Sequence, residues 1–212
     1  MSLRCRRNRR SIALIFGLSL LPAALGAGQV ADKGTGLRPS EKNGLYGFVD
    51  SQGKPAIDAH FSRVQPFSQG LAVVQVNTTY GFLDEKGMLV MDPEYEGKYG
   101  FIDRRGRMVV EPIYDRARSF SEGLAAVKID KKCGYIDKNG KVAIRFRYDN
   151  AESFSEGLAA VQLRGRYGYV NKKGKLTIRP RFDNVKAFSG GVAQVKIDRS
   201  VHTIDPSGNF VD

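Results

Sequence analysis

Few residues in this sequence have the types and spacing that catalysis or metal binding requires. The two histidines, His60 and His202, are far apart, and no cysteine or second histidine stands at metal-ligand spacing from either. Cys133 could be a reactive thiol, but it stands where other copies of a repeated motif have Tyr, which favours a small buried residue. The sequence has no Gly-x-Ser-x-Gly elbow and no phosphate-binding loop. We therefore expect no catalytic residue, no metal and no cofactor.

Two recurring polar motifs are better explained by turns than by chemistry. Each copy of Asp-x-x-Gly supplies one carboxylate, whereas a calcium ion needs about six to eight oxygen ligands. Asp at the first position of a turn accepts backbone N–H groups, and Gly at the fourth tolerates a positive φ. A second motif, Phe-Ser-x-Gly, occurs four times. A nucleophilic serine would not normally be copied in this way.

Basic residues are the remaining candidates for a functional surface. Between residues 141 and 181, ten Lys and Arg residues stand against three acidic ones. Six arginines form pairs spaced by two residues, so that on a strand both members of a pair share a face: Arg145 and Arg147, Arg164 and Arg166, Arg179 and Arg181. We call these six the arginine strip. It predicts a surface for an anionic glycan, a lipid headgroup or an acidic protein; the alternative is a solvated face that only aids solubility.

The N-terminal 27 residues have the order of regions typical of a secretory signal peptide. Five arginines precede an apolar run over residues 12–21, and small residues follow near Gly26 and Ala27. The alternative is an uncleaved membrane anchor. Removal of this segment lowers the net charge from +12 to +7. The pattern predicts an exported protein, periplasmic or extracellular, for which nucleic acid is not an expected partner.

The elements that must position these residues belong to an internal repeat. An aromatic-Gly-aromatic motif, or a variant of it, begins at residues 46, 80, 99, 133 and 167, and a degraded copy begins at residue 201. The step is 34 residues throughout, except for one step of 19 between residues 80 and 99. A period fixed this strictly is typical of a repeat array.

The sequence pattern of each repeat predicts strands and turns and no helix. The aromatic-Gly strand leads through Asp-x-x-Gly into a β-prone run, and Phe-Ser-x-Gly opens a further strand of the type Leu-Ala-x-Val. The fold class is therefore all-β: a tandem array of antiparallel three-stranded units of 34 residues, with an open stack favoured over a propeller-like ring. We expect a flexible lead-in at residues 28–43 and the array at residues 44–212. One unit, at about residues 80–98, is expected to lack its arm and one strand.

These motifs carry a family resemblance. The array resembles the bacterial WG repeat, also called the KWG repeat, whose consensus is similar to GLAAVK…GKWGFIDKTGKIVIPPQYD…FSEG. The resemblance covers roughly residues 44–212, and it departs from the consensus where Tyr or Cys replaces the usual Trp. It implies a β-rich bacterial module, often in the cell envelope or in multidomain proteins. It implies no single activity.

The sequence thus favours a non-catalytic binding or scaffold module that docks an anionic partner on a basic face. Two alternatives are an envelope enzyme or inhibitor built on the array, and a purely structural spacer. A converging set of titratable groups would favour the enzyme, and arginine pairs pointing in different directions would favour the spacer.

Overall fold

The protein, in a computed structural model, is built from strands and turns. The structure describes residues 36–76 and 97–211, and between these ranges it gives only the backbone of residues 82–83 and 89–90. The predicted signal peptide and much of the predicted lead-in and truncated unit lie outside the described residues. Within the described ranges there is no helix of the length and apolar character needed to cross a membrane.

The first sheet has six antiparallel strands, because it joins the strands of two consecutive repeats. Its order is β1 (Arg38–Lys42), β2 (Leu45–Val49), β3 (Pro55–Val64), β4 (Leu71–Val76), β7 (Tyr99–Asp103) and β8 (Met108–Tyr114). The N-terminal part of β3 pairs with β2, and its C-terminal part pairs with β4. The short strands β5 (Phe82–Leu83) and β6 (Leu89–Val90) pair with each other in a two-stranded sheet.

Three smaller sheets follow in chain order, and each corresponds to one repeat. The second sheet contains β9 (Arg116–Ala117), β10 (Leu124–Ile129), β11 (Lys132–Asp137) and β12 (Val142–Tyr148). The third contains β13 (Asn150–Ala151), β14 (Leu158–Leu163), β15 (Arg166–Asn171) and β16 (Leu176–Phe182). The fourth contains β17 (Asn184–Val185), β18 (Ala193–Ile197) and β19 (Ser200–Ile204).

The predicted fold class is confirmed: the described chain is a tandem array of antiparallel units of about 34 residues, and it forms no closed barrel. The units differ from the prediction in one detail. The arm that follows the third strand contributes a short fourth strand, such as β9 or β13, to the next sheet.

Turn chemistry explains why each repeat folds into hairpins. The link between β10 and β11 is Asp130 and Lys131, whose φ angles of 48° and 70° are those of a two-residue type I′ turn. At the other end of β11, Oδ1 of Asp137 accepts the backbone N–H groups of Asn139 and Lys141, each at 2.9 Å. The Asp-x-x-Gly motif is therefore a turn, as predicted.

The glycine of the aromatic-Gly motif makes room for a β-bulge in the next strand. A Cβ atom on Gly134 would lie 2.6 Å from the carbonyl oxygen of Ile144 and 3.0 Å from the nitrogen of Phe146. The register between β11 and β12 shifts at the same place. The close approach predicted for this glycine is present, and Gly168 is enclosed in the same way.

The core lies between successive sheets. The second aromatic ring of one unit's motif packs against the Phe of the next Phe-Ser-x-Gly, as Tyr135 does against Phe154 with ring centroids 4.9 Å apart. Both rings are buried, and one apolar cluster contains them together with residues of the second and third sheets. Equivalent pairs recur along the array: Phe48–Phe67, Phe101–Phe120 and Tyr169–Phe188. The repeats are therefore joined by apolar contacts between sheets.

Two features near the start of the array differ from the sequence prediction. Part of the expected lead-in forms β1, which pairs with β2 in the register that β10 uses with β11, Lys42 opposite Leu45. In addition, β4 pairs directly with β7, so that Leu71 stands opposite Asp103 as Leu124 stands opposite Asp137. The ladder therefore continues without a missing strand across the short step of 19 residues.

Candidate functional site

Cys133, which the sequence analysis considered as a possible reactive thiol, has a structural environment. Cys133 is buried, and burial raises the pKa of its thiol. Its Sγ atom lies 3.8 Å from the carbonyl oxygen of Asp149. Among residues 36–76 and 97–211, no group of three or more His, Cys, Asp or Glu side chains could hold a metal ion.

All six residues of the arginine strip are exposed, but they do not form three pairs of one kind. Arg145 and Arg147 lie on β12, and Arg179 and Arg181 lie 34 residues later at the same places on β16. Arg164 has a φ of 52° and belongs to the two-residue turn between β14 and β15. The expectation that Arg164 shares a strand face with Arg166 is therefore wrong, because only Arg166 is on the strand.

Arg147 and Arg181 join adjacent units. Nη2 of Arg147 donates to the carbonyl oxygen of Gly174 at 3.0 Å and to the Tyr148 hydroxyl at 2.7 Å, and the guanidinium lies 5.0 Å from the centre of the Tyr148 ring. Arg181 makes the equivalent bond to Gly208. Both arginines thus support the next unit's turn, although they remain exposed.

Arg166 also has a structural partner. It forms an ion pair with Asp183, whose other oxygen accepts the N–H of Asp198 at 2.9 Å. Lys132 and Asp149 form the same arrangement one repeat earlier. Only Arg145, Arg164 and Arg179 of the strip have side chains without a hydrogen bond or ion pair to the described part of the chain.

A second basic surface lies where the Asp-x-x-Gly turns meet one edge of the array, and we call this the turn edge. The turns of three consecutive units carry exposed cations that have no ion pair within the described residues. They are Arg104 and Arg105, Lys138 and Lys141, and Lys173 and Lys175, and we call these six the cation row. Lys141, Lys173 and Lys175 were counted among the basic residues of the sequence, but the row was not predicted. Its sequence signal is the recurrence of Lys or Arg within and just after the turn motif in these three units.

The acidic groups at the turn edge are engaged by the fold. Asp103 accepts the N–H groups of Arg105 and Arg107 and pairs with the Arg107 guanidinium. Glu122 accepts the N–H of Gly157 and pairs with Lys172 at 2.8 Å. The hydrogen bond from Lys172, with that of Gly157, holds the pKa of Glu122 below its ordinary value despite partial burial. The carboxylates beside the cation row are therefore already ion-paired or hydrogen-bonded within the fold, and in the described part of the chain none of them forms an ion pair with a row residue.

Positive charge is concentrated in one repeat. Residues 130–163 contain six basic and five acidic residues, whereas residues 164–197 contain nine basic residues and a single acidic one. The difference arises at equivalent positions: Asp130 becomes Arg164, Glu152 becomes Lys186, and Glu156 becomes Gly190. The two repeats have the same strand order and register, so the fold does not require this change.

The sequence matches the family described as WG containing repeat at residues 46–77, 99–133, 134–167 and 167–199. These segments cover more than half of the chain. The protein belongs to the WG repeat family. Residues 78–98 lie between two matched segments, which agrees with the direct pairing of β4 with β7 in this WG repeat array.

Comparisons with other proteins add a likeness of fold. No curated protein matches the sequence. The WG repeat array is similar to a crystal structure of the eukaryotic initiation factor, with a TM-score of 0.50 and 12% identity, covering 82% of this chain and 51% of that one. The chain thus spans about half the length of that protein. A protein of unknown function from Bacteroides caccae matches with a TM-score of 0.38 and 11% identity, over 85% of this chain and 81% of that one.

Proposed function

We propose that this WG repeat protein is an exported, non-catalytic binding module that docks an anionic partner on the basic side of its array. The observation that carries the proposal is the charge of residues 164–197, where nine basic residues stand against one acidic residue. A surface of one sign attracts partners of opposite charge and speeds their association.

Comparison of neighbouring repeats supports a role for this charge beyond solubility. Residues 130–163 fold in the same way with an almost balanced charge, so the excess is not needed for the strands or turns. Arg145 and Arg179 also stand where earlier units have Asp58 and Glu111. The basic side chains thus accumulate toward the later units.

Export would limit the anionic partners to those found outside the cytoplasm. The arginines and the apolar run at the N-terminus have the order typical of a secretory signal peptide, which would place the array outside the cytoplasm. Anionic glycans, lipid headgroups and acidic proteins are the anionic partners available there. The mass of the exported protein tests this step: a chain beginning near residue 27 or 28 supports export with cleavage, and a chain beginning at Met1 contradicts it.

A charge reversal tests the binding function. The double variant Arg145→Glu and Arg179→Glu introduces the residue already present at Glu111, and neither arginine has a side-chain partner among the described residues. We expect binding to an immobilised sulfated glycan to weaken several-fold, since single exposed charge pairs contribute about 0.2–1 kcal/mol, and to weaken further as salt is raised.

The control variant, Lys42→Glu with Arg63→Glu, makes the same change of charge at exposed positions of strands in the first sheet. It should leave binding nearly unchanged. Equal losses in the two variants, or no binding by the unaltered protein, would contradict the proposal.

A structural spacer is the second candidate, favoured by the bonds of Arg147 and Arg181 to the next unit's turn. On that reading the arginines stabilise the array and bind no partner. Replacing either by Gln would then lower the melting temperature, and the array would bind neither sulfated glycans nor anionic vesicles at low salt.

A further inference from the structure

The cation row is a repeated feature of three neighbouring turns. Each turn presents two exposed cations, which lie one, two or four positions after its first residue. The turns belong to the hairpins β7–β8, β11–β12 and β15–β16, which occupy equivalent places in successive units. Positive charge therefore recurs once per unit along a single edge.

Contacts between units hold these turns in line. A Cβ atom on Gly140 would lie 3.3 Å from the side chain of Val110, and one on Gly174 would lie 3.2 Å from Ile144. Each turn therefore sits directly on a strand of the preceding unit. Arg147 adds its hydrogen bond to the carbonyl oxygen of Gly174. Sheets packed face to face are about 10 Å apart, so three turns cover about 20 Å.

The positive charge falls at both ends of the row. The preceding turn carries the neutral Ser51 and Gln52 where the next carries Arg104 and Arg105, and it keeps one exposed cation, Lys54. The turn that follows the row carries Pro206 and Ser207. Among the described residues, three neighbouring turns therefore carry two unpaired cations each, the turn before them carries one, and the turn after them carries none.

We propose that the cation row binds a linear anionic glycan laid lengthwise across the three turns. The inference rests on the proposed anionic partner and specifies its shape. A line of cation pairs, one pair on each stacked turn, fits a chain polymer whose negative charges also recur. Of the exposed large apolar side chains in the described residues, one, Val142, is adjacent in sequence to a row residue, so the row offers little apolar surface for insertion into a bilayer.

Sulfated oligosaccharides of increasing length, prepared from heparin, test the proposal with the full exported chain. The affinity should rise with the length of the oligosaccharide until it covers three turns, about 20 Å. Longer oligosaccharides should bind each protein molecule with nearly the same affinity. A single sulfated disaccharide should bind weakly. Anionic phosphatidylglycerol vesicles serve as the second probe, and they should bind less strongly than the long oligosaccharide at equal salt.

Three variants each remove two charges from one turn and use residues that other turns already contain. They are Arg104→Ser with Arg105→Gln, Lys138→Ser with Lys141→Asn, and Lys173→Asn with Lys175→Asn. Each should weaken binding of the long oligosaccharide several-fold, and each should reduce the dependence of affinity on salt.

The matched control, Lys131→Asn with Arg199→Asn, removes two exposed charges from the type I′ turns at the opposite edge. Asn tolerates the positive φ of 70° and 73° at these positions. The control should bind like the unaltered protein. The row is rejected if the control and the turn variants weaken binding equally, or if affinity is independent of oligosaccharide length.

The outcomes also separate this inference from the proposed function. If sulfated glycans bind and only the reversal of Arg145 and Arg179 weakens them, the row is wrong and the anionic-partner function stands. If the protein binds vesicles but no soluble oligosaccharide, the glycan assignment is wrong and the anionic partner is a membrane. If it binds neither, both proposals fail.

Discussion

The hydroxyl of Ser121 donates a hydrogen bond of 2.7 Å to the carbonyl oxygen of Phe154, 33 residues further along the chain. The same bond joins Ser155 to Phe188 at 2.7 Å and Ser68 to Phe120 at 2.6 Å. The serine of Phe-Ser-x-Gly therefore connects each unit to the next, beside the aromatic pairs of the core.

The first prediction concerns this connection. Ser121→Ala should lower the free energy of unfolding by about 1–3 kcal/mol, because the carbonyl of Phe154 loses its partner at a partly buried site. Ser153→Ala is the control, since the Ser153 side chain has no hydrogen bond to the described residues. Chemical denaturation of both variants measures the difference, and equal midpoints would show that the Ser121 bond contributes nothing.

The second prediction concerns the glycines under the bulges. Gly134→Val and Gly168→Val should destabilise by about 1–3 kcal/mol or more, because even a Cβ atom at either position would meet main-chain atoms at less than 3.0 Å. Gly34→Val, outside the described residues, is expected to cost less. Gly165→Asn is a second control, since no atom lies within 4 Å of its Cβ position and Asn accepts its positive φ. Thermal melts of the four variants test this prediction. Equal melting temperatures for all four would contradict the explanation by close packing.

The third prediction concerns the segment between β4 and β7. Deleting residues 78–96 would join Asn77 to Gly97 and leave the two-residue link that other units have between these strands. Asn-Gly is the preferred pair for a type I′ turn, and Asn43-Gly44 already forms such a turn with φ of 53° and 78°. We expect the shortened protein to fold with an unchanged or higher melting temperature.

A control deletion of residues 78–95 leaves an extra residue in the same turn and should be less stable, since the link no longer matches the strand register. If the 78–96 deletion lowered the melting temperature by many degrees, the segment would be a necessary part of the array.

The fourth prediction concerns acid. The hydrogen bond from Lys132, with that from the N–H of Arg164, lowers the pKa of Asp149 below its ordinary 3.8, and Lys98 does the same for Asp115. A carboxyl group whose pKa is lower in the folded than in the unfolded protein stabilises the fold at a pH above its unfolded pKa. This stabilisation is lost as the pH falls through the folded pKa. The melting temperature should therefore fall as the pH drops below about 4, modestly because these pairs are partly exposed.

The variant Asp149→Asn with Asp115→Asn keeps an oxygen that can accept the turn N–H but loses the charge. It should be less stable at neutral pH, and its melting temperature should depend less on pH in the acid range. An unchanged pH dependence would show that other carboxyl groups carry the acid sensitivity.

The repeated local patterns made the fold predictable. Asp137 and its counterparts form the expected turns, and Gly134 forms the expected close contact, because turn and packing demands act over a few residues. The strand β1 was missed because its sequence, Arg38–Lys42, lacks the motif of the strands that it replaces. Either of the two aromatic-Gly copies, at residues 80 and 99, could form the strand that pairs with β4. The spacing of the motifs does not determine which copy pairs.

The site was predicted less well than the fold, for a physical reason. Exposure of the arginines followed from the strand pattern, but their contacts depend on the neighbouring unit, which lies 27 residues away for Arg147 and Gly174. Arg164 was predicted to lie on a strand because it is two residues from Arg166. Arg164 and Gly165 instead form the turn between β14 and β15. The cation row needed the alignment of turns from separate units, which only the stacking of sheets provides.

One feature of the first sheet has a mechanical consequence. Strand β3 runs unbroken from Pro55 to Val64 and pairs on one part with β2 and on the other with β4, whereas later units break at Asp115, Asp149 and Asp183 between two separate strands. Under a pulling force, the first two repeats share one load-bearing strand and should rupture together. The later repeats should extend one at a time, so that the array would act as a stiff segment followed by a series of separate links.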